Sequence, residues 1–88
     1  MADNKYYEKE IVTITLANAN EVNLAADRIK QGNAVLVNFS GIEAGDRLAA
    51  MSYLQGVVYA LDGNWRDIGN KVLLFAPPNV AVTLEGTT

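Results

Sequence analysis

Eighty-eight residues hold one small domain, and a chain of that size buries only about 60% of the surface its unfolded form exposes, so association is expected to matter to its stability. Half of the residues are apolar, 19% are charged and the formal net charge is −3, a globular balance without the basic footprint that nucleic acid requires. Cysteine and histidine are both absent, which removes disulfides, thiolate chemistry and the commonest metal ligand and general base.

Residues 1–9 are polar and without period, and read as a tail or the remnant of a longer linker; the opening "MADNKYYEKE" has no hydrophobic signal region. The domain is expected over residues 10–84, with 85–88 as a second tail. "IVTITL" alternates Val12, Ile14 and Leu16 with threonines, the period of a half-buried strand. "NANEVNLAADRIKQG" predicts a helix with Asn18 and Glu21 at capping-box spacing, Val22, Ala25, Ala26 and Ile29 on one face, and Gly32 as its stop. "AVLVNF", Ala34 to Phe39, is a nearly continuous apolar run suited to an interior strand, and strand, helix, strand in that order predicts a parallel crossover.

Ser40 and Glu43 repeat the capping-box spacing before a second helix over about residues 42–61, followed by the turn "DGN". "NWRDIG" and "KVLLFA" flank Gly69-Asn70 as a hairpin, Pro77 and Pro78 end it, and "VAVTL" predicts a last short strand. The order βαβαβββ implies an α/β fold, a two-layer sandwich of two helices on one mixed sheet of about five strands.

Little in the chain suits catalysis. Glu43 and Asp46 lie in a first helical turn, where the macrodipole explains them better than a metal does, and "GNWRDIGN" matches no phosphate or dinucleotide loop. The acids fall at caps, helix surfaces and ends with no acid and base pair among them, so no enzyme and no cofactor is expected.

The second helix is more informative. Leu48, Met51, Leu54, Val58 and Leu61 make one apolar face fit to cover a sheet. Ala49, Ser52, Gly56 and Ala60 make a second, small-residue stripe flanked by Tyr53, Val57 and Tyr59. A glycine inside a helix costs about 1 kcal/mol against alanine, which points to close approach of another backbone, either within the chain or from a second protomer. In the hairpin, Val72 and Leu74 oppose Lys71, Leu73 and Phe75 across an apolar strand, and Trp65 and Asp67 share one face of its neighbour, a possible floor for a docked peptide.

Taken in order, "AVLVNFSGIE", "YLQGVVYALDGNWRDIG" and "KVLLFAPPNVAV" resemble the C-terminal core of the SepF cell-division family, over about residues 10–84. The resemblance implies a non-enzymatic α/β sandwich that dimerises or polymerises, binds the C-terminal tail of the tubulin-like GTPase FtsZ, and works in the cytoplasm at the division septum. It also implies membrane attachment through an N-terminal amphipathic helix that nothing in this sequence matches. Gly56 falls on the family's helix glycine, which makes Ala49, Ser52, Tyr53, Gly56, Val57 and Ala60 the expected dimer interface. Trp65, Asp67, Lys71, Leu73 and Phe75 become the expected peptide site. Leu73 stands where relatives often carry Phe, Asp67 where they commonly carry Lys or Arg, and Lys71 is the better cationic candidate on strand alternation. The alternative reading is a ferredoxin-like regulatory domain holding a small metabolite at a dimer interface; it requires a deep polar pocket, for which few convergent polar groups are present.

Overall fold

The structure, a computed structural model, describes residues 10–83, 85 and 86. Strand β1 (Ile11–Thr15) leads through a 3-10 turn (Ala19–Glu21) into helix α1 (Val22–Lys30), then β2 (Ala34–Asn38), helix α2 (Ala44–Ala60) and the hairpin β3 (Asn64–Gly69) and β4 (Val72–Ala76). The sheet order is β1-β2-β4-β3, with β1 and β2 parallel and the other neighbours antiparallel. The predicted parallel pair and hairpin are both present, on an α/β sandwich of two helices.

The sheet has four strands where about five were expected. Among the described residues Val80–Thr83 pair with no strand, and Leu84 lies outside them. Pro77 and Pro78 turn the chain away from the ladder, after which Val80 N–H closes on Pro77 O and the Asn79 amide donates to Gly32 O. Among the described residues the β-branched Val80, Val82 and Thr83 thus join no ladder.

Local signals set the helix ends, with small shifts from the sequence. Asn18 Oδ1 accepts from Asn20 N–H and Glu21 Oε1 accepts from Ala17 N–H, so Asn18 and Glu21 both cap the 3-10 turn that precedes α1, each one residue off the partner a capping box would use. Gly32, at φ +96°, ends α1 with paired bonds from its own N–H to Ile29 O and from Asn33 N–H to Arg28 O. The second predicted capping box does not form. Asn38 Oδ1 takes both the N–H and the hydroxyl of Ser40, and α2 starts two residues later than expected, with Glu43 at its N-cap making no side-chain bond.

The core lies between the helices and one face of the sheet. Val35 and Val37 of β2 stand beside Phe75 and Leu73 of β4, under Ala25, Ala26 and Ile29 of α1 and Leu54 and Val58 of α2. Phe39 and Phe75 meet edge to face at 6.4 Å. The other sheet face carries Thr13, Leu36, Leu74 and Arg66 in one row.

The hairpin turn sits one residue later than Gly69-Asn70. Asn70 and Lys71 both have positive φ, at 56° and 64°, and the register slips between Asp67 and Gly69. Two-residue turns of this hand favour glycine at the second position, and a non-glycine residue there is strained by about 1 kcal/mol. Lys71→Gly is accordingly expected to raise stability by about that amount in a denaturant titration, against the usual cost of a new glycine.

Candidate functional site

Helix α2 runs from Leu48 to Leu61 without one charged residue. A helix that is apolar all round belongs inside a protein, yet α2 lies on a single sheet and leaves half its circumference uncovered. Its core face is Ala50, Leu54 and Val58, with Met51, Val57 and Leu61 partly buried beside them. Leu48, expected on that face, is 69% exposed. Arg47 explains the rotation: its guanidinium donates to Phe39 O and Ile42 O on the sheet side, and this places Leu48, one residue on, away from it.

The expected interface residues Ala49, Ser52, Tyr53, Gly56 and Ala60 all lie on the exposed face of α2, and Val57 is at its margin. A Cβ built on Gly56 has nothing within 4 Å outside its own helix. Among the described residues neither α1 nor the sheet fills the stripe. Tyr59 flanks the stripe at 84% exposure, while the Tyr53 hydroxyl donates to Asn23 Oδ1 of α1 at 3.2 Å.

A groove of about 630 Å³ runs between the C-terminal half of α2 and the edge strand β3. Gln55, Gly56 and Tyr59 form one wall, and Trp65 and Arg66 the other, with Gly63 at the end where the chain leaves α2. A Cβ on Gly63 would strike Ala76 O, so this glycine lets the turn sit against the end of β4 and sets the groove's width. Trp65 is 40% exposed here.

The five residues expected to hold a peptide do not form one surface. Trp65 lines the groove, whereas Leu73 and Phe75 are buried core beneath the helices. Asp67 is exposed and occupied locally, its Oδ1 accepting from Gly69 N–H at 2.8 Å. Lys71 is an exposed turn residue outside β4, so strand alternation does not carry it onto the face of Leu73; its carbonyl accepts from Phe39 N–H. Arg66, whose register puts it on the opposite sheet face, reaches round the strand edge to the groove with Nη1 on Trp65 O. The sequence gives no warning of this, because an edge strand lets a long side chain escape the alternation that confines residues on interior strands. Gln55 and Asn64 were likewise unmarked in the sequence.

Among the described residues no buried side-chain polar atom lacks a partner and no cluster of acids could hold a metal. No helix there is long and apolar enough to cross a membrane. The groove is apolar binding surface with Arg66 at its wall.

A family model described as "Cell division protein SepF" matches residues 11–82. The protein of that name from Nocardioides sp. is 32% identical over 75 residues, covering 85% of this chain and 46% of its own length. That from Geobacillus thermodenitrificans is 35% identical over 74 residues, covering 80% of this chain and 50% of its own. The chain thus spans about half the length of the curated relatives it matches. Among solved structures, the SepF-like protein from Archaeoglobus fulgidus superposes with a TM-score of 0.76 at 16% identity, over 90% of this chain and 99% of that one, which shows the shared fold. Sequence and fold together place this chain in the SepF family of cell division proteins.

Proposed function

We propose that this domain is a non-enzymatic adaptor of the division machinery that self-associates through α2 and holds the C-terminal tail of FtsZ in the groove between α2 and β3. The observation that carries the reading is the uncharged, outward face of α2, open along Ala49, Ser52, Gly56 and Ala60 and continuous with an apolar groove. Small residues admit a second backbone, and Tyr59 and Trp65 supply the aromatic anchors that interfaces favour. Arg66 is the one cation lining the groove among the described residues, and the reading assigns to it the role expected of Lys71.

Avidity is the mechanism. An assembly of copies engaging many tails on one filament gains effective concentration without high affinity at each site. Action at the septum, and tethering of FtsZ to membrane by a segment outside these residues, belong to the same reading.

Titration of the purified chain with an FtsZ tail peptide tests it. Saturable binding is expected, with no binding to FtsZ lacking its tail. Trp65→Ala should weaken the peptide by roughly tenfold or more with the fold intact, as loss of a central aromatic anchor does. Unchanged affinity in that variant, or equal binding of tailless FtsZ, removes the groove from the reading.

A further inference from the structure

The two edges of the sheet are built differently. β3, "NWRDIG", carries Arg66 and Asp67 side by side and a register break before Gly69, devices that keep an exposed edge from pairing. β1, "IVTIT", has no charge, proline, glycine or bulge, and among the described residues no strand lies on its outer side. Ile11 is 71% exposed.

The free hydrogen-bonding groups of β1 can be assigned. Leu16 N–H donates to Asn38 O at 3.1 Å and Glu10 N–H to Asn33 Oδ1 at 3.0 Å, so the even residues face β2. Alternation turns the N–H and C=O of Ile11, Thr13 and Thr15 outward. β1 is also close to self-complementary. Antiparallel pairing about Thr13 sets Val12 opposite Ile14, Ile11 opposite Thr15 and Thr13 opposite itself, all favourable cross-strand pairs.

Above this edge, α1 presents Leu24, Asp27, Arg28 and Gln31, at spacings i, i+3, i+4 and i+7, to a groove of about 490 Å³ floored by Val12 and Ile14. Leu24 is 56% exposed there. Asp27 and Arg28 are opposite charges on one helix face, so a second copy turned by a two-fold axis meets each with its complement.

We propose that β1 pairs with β1 of a second copy of this chain, antiparallel about a two-fold axis at Thr13, to give one continuous eight-stranded sheet. The two α1 grooves then join over a shared floor, Leu24 is covered by its equivalent, and Asp27 faces Arg28 across the axis. This contact uses no residue of the α2 stripe and does not depend on it. Where both operate, two different isologous contacts on one protomer generate an open chain rather than a closed dimer.

The absence of cysteine makes the register measurable. In a hydrogen-bonded antiparallel pair the Cα atoms lie about 5.5 Å apart, within disulfide range. Mild oxidation should convert Thr13→Cys to a covalent dimer on a non-reducing gel. Thr15→Cys, whose copies would stand about 14 Å apart at 3.4 Å per residue, should stay unlinked, and mixing it with Ile11→Cys should give the mixed dimer. Thr13→Pro removes an outward N–H and no bond to β2, and should weaken association by roughly tenfold with unchanged circular dichroism. Asp27→Arg should also weaken association, and adding Arg28→Asp should restore it. Equal cross-linking of Thr13→Cys and Thr15→Cys, or undiminished association of Thr13→Pro, overturns the proposal. So does cross-linking of Thr13→Cys that appears only once residues 1–9 are deleted, which would assign the edge to the chain's own amino-terminal segment.

Discussion

Gly56→Lys is expected to be more stable as a monomer and, on the proposed reading of α2, to lose self-association through that helix. Position 56 is a helix interior with nothing within 4 Å of a Cβ, so the lysine side chain enters solvent without a clash. Lysine is a better helix former than glycine by about 0.5–1 kcal/mol, and the melting temperature should rise by a few degrees. Across a helix pair the same side chain sets two ammonium groups and two long stems where small residues had let the backbones approach. Removing the contact altogether is the expected result. By light scattering, Gly56→Lys should stop at the species held by the β1 edge, and Gly56→Lys combined with Thr13→Pro should be monomeric. Gly56→Ala separates the terms further, because it stabilises the helix by a similar amount while adding one methyl to the contact. A Gly56→Lys protein with the mass distribution of the unmodified chain would show that α2 is not an interface.

Phe75→Ala has the largest expected effect on the fold. The ring is fully buried and packs edge to face on Phe39, and truncation of such a phenylalanine costs about 3–5 kcal/mol. Small domains hold only about 5–15 kcal/mol in total, so the melting temperature should fall by roughly 12 °C or more. At a temperature where the variant remains folded, its affinity for an FtsZ tail peptide should match that of the unmodified chain within a factor of about two, since Phe75 lies beneath the helices and outside the groove. Trp65→Ala should behave oppositely, losing the peptide and little stability. A Phe75→Ala protein that melts normally and fails to bind would place Phe75 at the binding surface.

These contrasts mark where a strand pattern can be read and where it cannot. Val12, Ile14 and Leu16 alternate because one face of β1 is apolar, and Val35 to Val37 run continuously because β2 is interior, so both strands and their parallel pairing are legible. Leu73 and Phe75 are apolar in either of two roles, core or docking floor, and only the helices lying over them decide between these. For Arg66, position on an edge strand lets the side chain leave its assigned face. "VAVTL" has the composition of a strand, but a strand requires a neighbour, and the turn after Pro77 supplies none among the described residues.

The sequence by itself determined the element types and their order, the glycine stop of α1, the small-residue stripe of α2 and the SepF family, because each rests on spacing or on residue order within a short span. Tertiary structure alone decided the exact rotation of α2. From Leu48 to Leu61 the chain is uncharged on every side, so periodicity marks Met51, Leu54, Val58 and Leu61 as the covered face but leaves Leu48 undecided, and its exposure follows from Arg47 bonding to Phe39 O and Ile42 O. It likewise decided that among the described residues nothing fills the space over Gly56, and that one sheet edge is guarded while the other has no strand beside it. The first depends on what packs over α2 and the second on which strands end up outermost, properties of the assembled fold that no local window of residues contains.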